Sequence, residues 1–98
     1  MILVRNSFQL KFGKAKDAKT VMKEGLKDLT APGLIEHHAY IDLTGPFYTL
    51  ILENKWESMA AFEKALADMG NNKQWQEWYM KLMPLVESGH REIYSVIV

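Results

Sequence analysis

The chain has 98 residues, 48% hydrophobic and 24% charged, and its 12 basic and 12 acidic residues give a formal net charge of zero. That length supports one hydrophobic core, so a single domain over residues 1–98 is expected, and the composition excludes a disordered or fibrous chain. With no cysteine, disulfides and thiolate chemistry are excluded and a cytoplasmic location is the simplest reading.

The first segment, VRNSFQLKF at residues 4–12, alternates as a strand does, and its even positions Val4, Phe8, Leu10 and Phe12 form an apolar face interrupted by Asn6. The N-terminus carries neither a signal-peptide pattern nor the run of about 20 apolar residues of a membrane span, so no membrane partner is expected. Next, GKAKDAKTVMKEGLKDLTAPG sets Ala15, Ala18, Val21, Met22, Gly25, Leu26 and Leu29 at spacings of three and four, predicting an amphipathic helix ended by Pro32 and Gly33. Residues 1–27 hold seven bases and two acids. No aromatics interleave the lysines as a nucleic-acid platform requires, so this stretch reads as a solvated helix face.

A strand over 34–43, a turn at Thr44-Gly45-Pro46 and a strand over 47–55 predict a hairpin. Ser58 is placed to cap a helix carrying Met59, Phe62, Ala65, Leu66 and Met69 on one stripe, stopped near Gly70 and Asn71. A third, shorter helix presents Trp75, Trp78, Tyr79 and Leu82 along one side and ends around Pro84. HREIYSVIV, rich in β-branched residues, is the fourth strand. The order is βαββααβ, an α+β ferredoxin-like βαββαβ arrangement with a split second helix. The hairpin strands are apolar on both parities, which predicts cover on both faces and hence a twofold homodimer with facing sheets, with Arg5, Glu36 and Tyr40 turned toward the partner.

The segment PGLIEHHAYIDLTGPFYTLILENKWESMAAFEKAL joins a Pro-Gly strand opening, a hairpin, a strand ending in Glu and Trp, and a Ser-capped helix with an Ala-Phe pair. In that order these features resemble the dimeric α+β barrel superfamily, especially its antibiotic-biosynthesis-monooxygenase-like and NIPSNAP-like domains. The resemblance implies a homodimer with a pocket between helices and sheet in each protomer, in a superfamily whose members include cofactor-independent oxygenases, haem-degrading enzymes, isomerases and proteins with no established activity. Asn6 matches the first-strand asparagine of the haem-degrading members. The tryptophan or histidine that relatives carry on the second helix is Ala65 here, and no histidine lies between Phe62 and Glu87 to serve as an axial ligand. No haem or other cofactor is therefore expected.

Asn6 is the leading candidate, because an amide on an apolar face costs about 1–3 kcal/mol if a polar atom is left unmet, and either a ligand or a protein group must satisfy it. Gly25 costs about 1 kcal/mol relative to alanine within a helix. Its reason is either close approach to the sheet or room for a ligand above Asn6. Trp75 and Trp78, with Tyr79 and Phe8, either wall a pocket for a flat apolar molecule or fill the core. His37 and His38 point to opposite faces, so only one can reach a given pocket, and His90 starts the last strand; the histidines lack metal-site spacing. Two readings stay open. In one, a cofactor-independent monooxygenase or isomerase uses Asn6 to orient an oxygen of an aromatic or apolar substrate while His38 or Tyr79 assists proton transfer, with Phe8, Gly25, Trp75 and Trp78 holding the substrate. In the other, the same residues complete a non-catalytic binding or structural homodimer. A cavity above roughly 300 Å³ lined by Asn6 and the helix aromatics favours the first, and a filled helix-sheet interface with Asn6 satisfied by protein atoms favours the second.

Overall fold

A computed structural model describes residues 1–98. The elements are β1 (Ile2–Leu10), α1 (Ala15–Lys27), β2 (Leu34–Ile41), β3 (Thr49–Trp56), α2 (Met59–Gly70), α3 (Lys73–Leu82), a 3₁₀ turn (Met83–Leu85) and β4 (Val86–Ser95). The expected βαββααβ order and α+β ferredoxin-like class hold. The strands form one sheet in the order β2-β3-β1-β4 with every neighbouring pair antiparallel. Strands joined through helices are consequently parallel but never adjacent, each pair having a third strand between them.

Several boundaries differ from the periodicity, each for a local reason. Helix α1 stops at Lys27, before Pro32 is reached: Asp28 and Thr30 are weak helix formers, and the residue preceding a proline is pushed out of the helical region. β1 ends at Leu10, so Phe12, expected on the core face, is 83% exposed. β2 stops at Ile41 and β3 begins at Thr49, leaving Leu43 and Phe47 exposed in the hairpin loop. β4 starts at Val86, four residues ahead of His90, because β1 supplies a continuous partner as far as Leu10, with a bulge between Gln9 and Leu10.

Helix caps follow the sequence. Ser58 Oγ accepts the Ala61 N–H at 3.1 Å, and Asn72 Oδ1 accepts the Trp75 N–H at 3.0 Å, which separates α2 from α3. Gly33 enters β2 at φ +87°, and an ideal Cβ there would lie 2.6 Å from Ala61 Cβ, so the turn requires glycine both for its conformation and for its contact with α2.

The even positions of β1 do turn toward the helices, and Val4 and Leu10 are fully buried. Core side chains form two separate clusters. One joins Leu10 and Leu50 of the sheet to Ala18 and Met22 of α1 and Leu82 of α3. The other joins Val4 and Trp56 to Phe62 and Ala65 of α2. Because α2 packs at one end of the sheet and the α1–α3 pair at the other, the central part of the helix-facing side is left between the two clusters.

Candidate functional site

A cleft of about 1010 Å³ occupies that gap, drawing lining residues from both clusters, including Leu82, Trp56, Phe62 and Ala65. Its floor is the helix face of the sheet at Asn6, Phe8, Leu52 and Asn54, and α1 and α3 contribute Gly25, Trp75, Trp78 and Tyr79. Six of the seven site candidates named from sequence thus surround one space.

The aromatic wall is ordered by its own contacts. Trp75 stacks on Tyr79 with ring centroids 5.0 Å apart and planes at 24°, and Trp75 and Trp78 lie 6.4 Å apart at 49°. Trp78 Nε1 donates to the Val21 carbonyl of α1 at 2.7 Å. Gly25 is explained by the same indole: an ideal Cβ on Gly25 would come within 2.7 Å of Trp78 Cδ1, and closer still to its Nε1 and Cε2. The three atoms nearest that position all belong to the Trp78 indole, and Gly25 borders the cleft beside it. That position is filled by a side chain of α3.

Asn6 lies half-buried directly opposite Arg91 of β4, and its Oδ1 accepts the Arg91 Nε–H at 2.7 Å. The Arg91 guanidinium also sits 5.4 Å from the centre of the Phe62 ring, a cation–π contact that ties β4 to α2. On β3, Asn54 is only 8% exposed and its Oδ1 has no hydrogen-bond partner, and the buried Trp56 Nε1 has none either. Arg91 and Asn54 went unremarked in the sequence, since one sits in a strand of alternating charge and the other beside a lysine and a tryptophan. The available signal was parity: counting by twos from Leu50 places Asn54 on the apolar face of β3.

His38 is not brought to this cleft. By register it lies with Glu36 and Tyr40 on the opposite sheet face, where its Nε2 is 3.7 Å from Glu36 Oε2, and the His90 imidazole pairs with Glu92 on that face too. His37 is on the helix side, opposite Asn54, but does not line the cleft. The face away from the helices also carries Arg5 and Glu53, 2.7 Å apart, and Lys55 and Glu36, 2.9 Å apart. Lys55 holds the Glu36 carboxyl below the usual carboxylate range, and Tyr94, donating to Glu92, has its own phenol raised by that carboxylate.

A family model described as NIPSNAP matches residues 5–97. No curated protein matches the chain by sequence. Among solved structures, a NIPSNAP family protein from Agrobacterium tumefaciens is 17% identical with a TM-score of 0.84, over 98% of this chain and 85% of that one. A NIPSNAP-like domain protein from Burkholderia xenovorans is 17% identical with a TM-score of 0.84, over 98% and 84%. The cofactor-independent oxygenase SnoaB from Streptomyces nogalater is 15% identical with a TM-score of 0.75, over 99% and 93%. At these identities the likeness is one of fold.

Proposed function

Because the chain belongs to the NIPSNAP family, whose fold it shares with a cofactor-independent oxygenase, we propose that it binds a small aromatic or apolar molecule in the cleft between helices and sheet. The observation that carries this is a space of about 1010 Å³ with aromatic side chains on one wall and the half-buried Asn6 on its floor. Pockets for small molecules combine apolar walls with a few placed polar groups. A flat ring lies against Trp75, Trp78 and Phe8 while Asn6, held by Arg91, orients an oxygen of the ligand. Where the bound molecule is turned over, the chemistry is cofactor-independent oxygenation or isomerisation, with Tyr79 as the phenol nearest to hand for proton transfer.

A second reading, a domain that binds without turnover, is favoured by one observation: His37 and His38 do not line the cleft, and His90, which does, has its imidazole 3.6 Å from Glu92. In either case the working unit is a homodimer, in which the sheet face bearing Leu3, Tyr40, Ile51 and Tyr94 meets its copy. No helix is long and apolar enough to cross a membrane.

The test is titration with a series of naphthalene and anthracene alcohols, followed by quenching of tryptophan fluorescence. Saturable binding that Asn6→Ala weakens at least tenfold, with an unchanged circular dichroism spectrum, is the expected result. Turnover under air, followed by mass spectrometry, separates the catalytic reading from the non-catalytic one. A cleft that takes none of the series, in a protein that remains folded, refutes ligand binding. Sedimentation at micromolar concentration checks the dimer, and a monomer there removes it.

A further inference from the structure

The polar end of the cleft has an excess of hydrogen-bond donors with nothing in the protein to receive them. Arg91 makes one side-chain hydrogen bond, through Nε to Asn6 Oδ1. It takes part in none of the ion pairs, so the four N–H groups on its two terminal nitrogens have no carboxylate. That same bond orients the Asn6 amide: Oδ1 faces Arg91, and Nδ2, with two more donors, has no acceptor in the protein. A planar guanidinium beside an amide N–H₂ is the arrangement that receives a carboxylate through paired oxygens.

One acceptor stands close by. Asn54 is more than nine-tenths buried, lines the cleft, and has an unpartnered Oδ1. In register, Val4 is opposite Asn54 and Asn6 is opposite Leu52, so Asn6 and Asn54 occupy diagonal positions of the β1–β3 pair on the helix-facing side. Such diagonal neighbours are about 7–8 Å apart. The carboxylate and ortho-hydroxyl oxygens of an aromatic hydroxy acid, borne on carbons separated by one ring carbon, can bridge groups at that spacing with hydrogen bonds of about 2.8 Å.

Building on the binding function proposed above, we infer that the ligand is an aromatic hydroxy acid: Arg91 and Asn6 Nδ2 hold its carboxylate, and Asn54 Oδ1 accepts a hydrogen bond from the neighbouring hydroxyl. The carboxylates that also line the cleft, Glu24, Asp28, Asp68, Glu77 and Glu87, are all exposed, and Glu24 is engaged by Lys81 at 3.7 Å. They stand in water, where salt screens them over about 8–10 Å. Arg91 is itself exposed, so added salt weakens its hold on a carboxylate as well as the repulsion at the rim.

Three probes separate the groups: 3-hydroxy-2-naphthoate carries both oxygen functions, 2-naphthoate only the carboxylate and 2-naphthol only the hydroxyl. Isothermal titration of the full chain is expected to rank the hydroxy acid at least tenfold tighter than either single-function probe. Arg91→Gln should abolish the advantage of the hydroxy acid over 2-naphthol, the two probes being compared in the same variant. Arg91→Lys, which keeps the charge but not the fork, should restore part of the loss. Asn54→Leu should reduce the hydroxy acid to the affinity of 2-naphthoate. If 2-naphthol binds as tightly as the hydroxy acid and Arg91→Gln changes nothing, the hydroxy-acid assignment is overturned and the binding cleft stands. If Asn54→Leu leaves the advantage over 2-naphthoate intact, Asn54 is satisfied within the protein, by Trp56 Nε1 for example, and the hydroxyl contact is overturned. Binding by none of the three, in a protein that also refuses the neutral aromatics, overturns the cleft as a site and this assignment with it.

Discussion

Replacing Gly25 by alanine probes the joint between α1 and α3 on which the aromatic wall rests. In an exposed helix that change stabilises by about 1 kcal/mol, because glycine has the larger backbone entropy to lose. Here the added methyl would fall within 2.7 Å of Trp78 Cδ1 and still nearer to the indole nitrogen. Those are distances at which the ring must move. Overpacking of this kind costs about 1–3 kcal/mol. Displacing the indole also breaks its 2.7 Å bond to the Val21 carbonyl, worth a further ~0.5–1.5 kcal/mol. After the propensity gain, a net loss of about 1–3 kcal/mol is expected, which for a domain of this size lowers Tm by about 4–8 °C per kcal/mol. Thermal unfolding followed by circular dichroism, with urea unfolding as a check, reads the change directly. The same substitution in a Trp78→Leu background should be neutral or stabilising, since the obstruction is gone. A Tm for Gly25→Ala that equals or exceeds that of the parent would refute the assignment of Gly25 to the Trp78 contact.

Asn54→Leu should raise stability while weakening ligand binding, because it removes a buried acceptor without a partner, a group that costs about 1–3 kcal/mol; urea unfolding and titration of the same sample test both halves. Gly33→Ala should destabilise by about 2–4 kcal/mol, combining the left-handed penalty for a residue with a Cβ and the clash with Ala61 Cβ at 2.6 Å, measured as a fall in urea midpoint. Glu36 has a folded pKa below its ordinary 4.5 because Lys55 donates to it and adds its charge, with His38 contributing less. Its contribution to stability is therefore complete above that value and disappears as pH falls through the lowered one. The Tm difference between the parent and Glu36→Gln should be largest near neutrality and vanish at strongly acidic pH, and a difference independent of pH would remove the ion pair from the account.

The residues of the sequence were sufficient for whatever depends on near neighbours. The order of elements, the inward parity of β1 and the Ser58 cap all follow from periods of two or 3.6 and from side chains reaching three residues ahead. Asn6 stood out for the same reason, as a polar side chain on an alternating apolar face. Its solution did not. Arg91 lies 85 positions away and meets Asn6 only because β4 pairs with β1 in one particular register. Nothing local in HREIYSVIV specifies that register. Gly25 was likewise conspicuous in its helix, but the indole that requires it belongs to another helix and is aimed by the packing of α3 on α1. His38 was legible as a titratable side chain on one strand face, while the side of the sheet that face would be on depended on how β2 pairs with β3, where Ile35 adds an extra residue between Leu34 and Glu36. Local chemistry thus determined which residues stand out, and the register of strands distant in sequence decided which of them meet.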